Sequence, residues 1–167
     1  MSDYPPQSKT LTHLDESGQA RMVDVGAKAV TERVAVARGR VIMDPGTLDL
    51  IVAGGMKKGD VLTVAQVAGV MAAKRTSELI PLCHPLLLNQ IVVTCTPNID
   101  EACVEIEATV RVSGKTGVEM EALTAVTIAG LTIYDMAKAV DRGMRLSDVR
   151  LVSKSGGQSG DWQVPED

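Results

Sequence analysis

From Ala102 to Val112 the chain alternates. Val104, Ile106, Ala108 and Val110 point one way, and Glu105, Glu107, Thr109 and Arg111 the other. A period of two is the signature of a half-buried strand. Arg33 to Met43 and Leu86 to Thr96 are rich in β-branched residues and predict two further strands, and Asp148 to Ser153 a last one. Between the strands the period lengthens. Asp44-Pro45 reads as an N-cap with proline at the first helical position, which starts a helix running to Val52 and stopping at Gly54-Gly55. Asp60 caps a second helix from Val61 to about Lys74, with a broad apolar face. A long helix is predicted from about Val118 to Val140, apolar nearly all round its middle.

The order is β-α-β-β-α-β with the first α split in two. That predicts an α+β chain of the ferredoxin-like βαββαβ type, an antiparallel sheet with helices on one face. One sheet covers only one side of the long helix, so a partner subunit is expected on the other. Residues 1–10 read as a disordered tail, 11–162 as a single domain and 163–167 as a flexible end.

Composition narrows the classes. The 167 residues include no Phe, one Trp and two Tyr, and the net charge is −4. The core must be aliphatic. Neither a basic surface nor base-stacking aromatics are available for a nucleic acid. The longest uncharged run, Leu79 to Ile99, is broken by Pro81, Pro85 and Pro97, so no membrane span is expected. No apolar stretch marks residues 1–10 as a signal peptide, and three cysteines without metal-ligand spacing suit a reduced, cytoplasmic protein.

Several residues then stand out. Gly114-Lys115-Thr116 resembles the end of a phosphate-binding loop, but Thr109 occupies the position of its first glycine and the motif fails. Glu119 and Glu121 begin the long helix, where the dipole alone accounts for carboxylates. Asp135 and Lys138 share a face at the other end, as an ion pair or as chemistry. His84 lies on a proline-stiffened apolar loop beside Cys83, either as a satisfied core histidine or as a proton shuttle. Lys57-Lys58-Gly59-Asp60 and the glycine- and serine-rich run from Lys154 to Asp161 are solvated turns by default. With Arg33, Lys74 and Arg75 they offer a local cationic pocket suited to a small phosphorylated ligand.

The runs LIPLCHP (79–85), KTGVEMEAL (115–123), LTIYDMAK (131–138) and KSGG (154–157), with shorter ones from residue 11 onward, resemble the molybdenum cofactor biosynthesis protein C family, the cyclic pyranopterin monophosphate synthases. The likeness spans about residues 11–162. It implies a lyase that converts (8S)-3′,8-cyclo-7,8-dihydroguanosine 5′-triphosphate to cyclic pyranopterin monophosphate and releases pyrophosphate. It also implies a homohexamer, a trimer of dimers, with active sites at subunit interfaces. By the same resemblance, Asp135, Lys138 and Lys58 are catalytic. Leu82, Cys83, His84, Met120 and Glu121 contact substrate, and Glu119, Arg33 and Lys154 complete the pocket. Gln158 stands where many members carry a basic residue. No metal or other cofactor is required on this reading, though Mg²⁺ can accompany the triphosphate. A non-catalytic phosphate-binding oligomer of the same fold remains the second class.

Overall fold

The structure, a computed structural model, describes residues 19, 22–158 and 160–165. His13 and the predicted N-terminal tail lie outside them. Strands β1 (Thr31–Ile42), β2 (Gln90–Asn98), β3 (Cys103–Gly114), β4 (Arg145–Ser155) and β5 (Trp162–Gln163) form one sheet in the order β2-β3-β1-β4-β5, every neighbour antiparallel. Helices α1 (Pro45–Val52), α2 (Val61–Ala73), α3 (Thr76–Leu79) and α4 (Glu119–Ala137) complete the chain. The first four strands and the helices α2 and α4 give the ferredoxin-like arrangement that the pattern predicts.

Local chemistry explains the boundaries. Pro45 occupies the first turn of α1, and Asp60 caps α2 by accepting the Thr63 N–H at 3.0 Å. The alternation in β3 is realised: Val104, Ile106, Ala108 and Val110 are all buried, while Glu105 and Arg111 are exposed. β2 begins at Gln90, four residues after its predicted start. Residues 81–89 stay irregular, and pairing with β3 starts only at Gln90, opposite Arg111. The short α3 and β5 are additions to the prediction. β5 pairs Trp162 with Lys154 and Gln163 with Ser153, and the Val164 N–H donates to the Val152 carbonyl at 2.9 Å. The pairing with β4 thus runs through residues 162–164.

With no Phe, the layers close by small residues. Ala122, Ala125, Ala129 and Ala137 of α4 are fully buried against Ala35, Ala37, Val104 and Ala108 of the sheet. A Cβ on Gly69 of α2 would stand 3.0 Å from the Ala125 carbonyl, and one on Gly39 only 2.8 Å from Val126. Such packing fixes helix positions to within fractions of an ångström. Lys58, just before α2, reaches Asp135 near the end of α4, whereas Gly69 meets Ala125 near its middle. The two helices thus run antiparallel, with the start of α2 at the end of α4. None of the helices among the described residues is long and apolar enough to cross a membrane.

Candidate active site

The candidate residues gather at the two ends of α4. At its C-terminal end, the Asp135 carboxylate is clasped by two ammonium groups, Lys58 Nζ at 2.6 Å and Lys138 Nζ at 2.7 Å. Lys58 also donates to the Asp135 carbonyl at 2.9 Å. Glycine in the left-handed region at Gly59, with φ +93°, and its N–H bonded to the Met56 carbonyl turn the loop that presents Lys58. Hydrogen bonds from Lys138 and then Lys58 pull the Asp135 pKa down to about 2, and Asp135 in turn raises that of Lys138. Within one chain Lys138 therefore moves away from the neutral range that a lysine base requires. It is an ammonium, suited to donating a proton or stabilising negative charge. All three side chains are about half exposed, so the clasp adds little to stability. An aspartate in the last turns of a helix also opposes the dipole.

At the N-terminal end, a cavity of about 320 Å³ is lined by Leu82, Cys83, His84, Glu119, Met120 and Glu121, together with Val23, Val25, Lys28, Leu86, Thr116 and Gly117. His84 Nε2 lies 2.9 Å from the Val23 carbonyl. A carbonyl only accepts, so Nε2 carries a proton and a neutral ring leaves Nδ1 as the acceptor. Glu121 is 4% exposed, and burial, then the neighbouring charge of Glu119, raises its pKa. Burial and the Glu121 charge raise that of the Cys83 thiol, which argues for a contact group rather than a thiolate nucleophile.

Glu119 joins this cavity to the end of β4, pairing with Lys154 at 3.1 Å. Its carboxylate occupies the space a Cβ on Gly117 would take, so a side chain at that position would have to displace Glu119. Arg33 donates through Nε to the Gly114 carbonyl at 3.1 Å, and its guanidinium sits where a Gly157 side chain would be. Arg33 thus lies beside the cavity wall without lining it. Of the eight predicted pocket residues, six line this cavity, Lys154 meets it through Glu119 and Arg33 lies beside it.

Within one chain the cationic residues named from sequence do not meet in a single pocket. Lys58 belongs to one end of α4, and Arg33 and Lys154 to the other. Glu121 and Asp135 are separated by fourteen helical residues, or about 21 Å along the axis. The larger concavity, about 770 Å³, lies on the open face of the sheet among Arg38, Arg40, Glu107, Asp148 and Arg150. There Arg38 already pairs with Glu107 and Arg40 with Asp148, so these two cations are committed. Among the described residues, no three His, Cys, Asp or Glu side chains group to hold a metal.

Sequence reasoning missed Val23, Val25 and Lys28. They reach the cavity through a loop with no periodicity, and the only hint was that the family likeness already extends over this stretch.

Comparison with known proteins agrees with the motifs. The MoaC family model matches residues 22–157. A cyclic pyranopterin monophosphate synthase of Chloroflexus aggregans is 67% identical over 156 residues, covering 93% of this chain and 94% of the relative. The synthase of that name from Rhodospirillum rubrum is 62% identical over 95% of each chain. That of Pelotomaculum thermopropionicum is 65% identical over 90% of this chain and 88% of its own. With its motifs placed at the two ends of α4 and its length matched almost throughout, the chain belongs to the MoaC family.

Proposed function

We propose that this chain is a cyclic pyranopterin monophosphate synthase of molybdenum cofactor biosynthesis, a phosphorus–oxygen lyase acting in the cytoplasm on (8S)-3′,8-cyclo-7,8-dihydroguanosine 5′-triphosphate. The observation that carries the reading is the clasp of Lys58 and Lys138 on Asp135. Forming the cyclic phosphate requires a substrate hydroxyl to attack the α-phosphorus and lose its proton, while the bond to pyrophosphate breaks. Two ammonium groups held by one ionised carboxylate supply charge stabilisation for the departing pyrophosphate and a proton where one is needed. His84 and Glu121, in a partly dry cavity, suit the purine end, where ring opening and closure move protons. Arg33 and Lys154 add positive charge beside that cavity. Any Mg²⁺ in the reaction is assigned to the triphosphate, as the substrate's own counter-ion.

Groups about 21 Å apart cannot act on one reacting centre, where hydrogen-bond reach is about 3 Å. We therefore place the working site between two copies, the clasp from one chain and the His84–Glu121 cavity from its neighbour, in a homohexamer built as a trimer of dimers. Variants at opposite ends of α4 test this. Lys138→Ala and Glu121→Gln are each expected to be inactive as pure proteins. Co-expressed at equal levels, random pairing makes half of the dimers mixed, and each mixed dimer retains one intact site of its two. Pyrophosphate release should return to about a quarter of the unmodified rate. No recovery in verified mixed assemblies would sink the shared site. Binding of the triphosphate by the unmodified protein without pyrophosphate release would favour the non-catalytic oligomer.

A further inference from the structure

Two carboxylates near the end of α4 hold the two ends of one small unit. Asp135 grips Lys58. Six residues on, Asp141 is 7% exposed, and its Oδ2 accepts the Asp44 N–H at 3.0 Å. Its other oxygen accepts the Gly143 N–H at 2.7 Å, and its own N–H donates to the Ala137 carbonyl at 3.2 Å, so the carboxylate is fixed in place. Asp44 is the N-cap of α1, yet its side chain makes no capping bond, and the first turn of α1 has no acid. In a capping box the N-cap N–H is taken by a side chain three residues further on. Here Asp141 takes it from across the fold.

From that anchor the path to Lys58 is short and stiff. α1 buries Thr47, Leu48 and Ile51. It closes with hydrogen bonds from the Ala53, Gly54 and Gly55 N–H groups to the Asp49, Ile51 and Leu50 carbonyls. Met56 is buried, and the Gly59 turn follows Lys58 directly. We propose that Asp141 is a positioning residue that seats Lys58 on Asp135 by anchoring the start of α1 to the end of α4. The proposal rests on the reading of that clasp as catalytic for its function, though not for its geometry.

The test measures Lys58 directly, as its rate of acylation by an amine-selective reagent, read by mass spectrometry against the exposed Lys74 of the same protein. Asp141→Ala should raise the relative rate roughly two- to fivefold, the factor that an exposed ion pair is worth. Asp141→Asn keeps one acceptor and should fall between. Val110→Ala, a buried sheet residue far along the chain, provides a destabilised variant without this link and should leave the rate unchanged. If Asp141→Ala does not fold, Asp141→Asn is read in its place. A folded Asp141 variant with the unmodified rate, or an equal rise in Val110→Ala, would overturn the proposal. The labelling needs no substrate. A wild-type protein that releases no pyrophosphate would sink the catalytic reading of the clasp and leave the labelling result standing.

Discussion

Glu121→Gln is expected to make the protein more stable and less active. The glutamate is 4% exposed, no lysine or arginine among the described residues is recorded pairing with it, and the nearby Glu119 charge makes its ionisation harder still. Its own backbone N–H offsets part of this. An amide of nearly the same shape removes the buried charge, and relief of such a group is worth about 1–2 kcal/mol. For a chain of this size that is about 2–8 °C in Tm. The sign with pH follows from the raised pKa. Below the ordinary glutamate value of 4.5 the carboxyl is protonated whether folded or not, and the substitution gains nothing. The penalty on the wild type grows as pH rises through the raised folded value and is complete above it. Melting both proteins by circular dichroism at about pH 5 and about pH 8 should show the larger gain at the higher pH, with pyrophosphate release strongly reduced. A variant no more stable than wild type at about pH 8 would refute the claim of a buried charge with no cation beside it, and would point to a cation supplied by a neighbouring chain.

Three further outcomes are expected. Lys138→Ala should abolish pyrophosphate release with little change in Tm, because the clasp is half exposed; normal turnover would remove Lys138 from the chemistry. The Asp135 carboxyl, followed by carbon-detected NMR, should titrate near pH 2, and its stabilising contribution should be present above the ordinary value of 3.8 and fade as pH falls toward 2. Lys58→Ala should bring that titration part of the way back, and an unchanged midpoint would mean the contact is absent in solution. Gly69→Ala gains about 1 kcal/mol of helix propensity but sets a methyl 3.0 Å from the Ala125 carbonyl, which costs about 1–3 kcal/mol. Its Tm should fall or hold, and a clear rise would show that α2 and α4 are less tightly packed than described.

The fold was legible where a local rule settles each choice. Period-two alternation fixed β3, and Asp44-Pro45 and Asp60 fixed the starts of α1 and α2. β5 was invisible because two residues of an edge strand carry no period, and it exists only by pairing with Lys154 and Ser153. The segment 76–79 turns once more into helix partly because the Thr76 hydroxyl donates to the Ala73 carbonyl, a contact that propensity does not encode. For the site, residue types and motif matches named the participants, but not their grouping. Lys58 and Asp135 stand 77 positions apart, and only the antiparallel course of α2 and α4 unites them. Within one chain the same geometry separates Lys58 from Arg33 and Lys154, which charge counting had pooled. Asp141 escaped notice because its partner is a backbone amide, and main-chain groups leave no mark in a sequence.

The aromatic shortage has a practical side. Trp162 is the only tryptophan, and it sits on β5, paired with Lys154 and half-buried at the sheet edge. Under excitation selective for indole, emission comes from this one place. It should register events at the end of β4 and the Gly157 turn that follows and be nearly blind to the helix layer. A two-residue edge strand is also among the first elements to open. Fluorescence melts are therefore expected to precede those followed by backbone ellipticity, and the gap between the two curves measures how independently this corner of the molecule breathes.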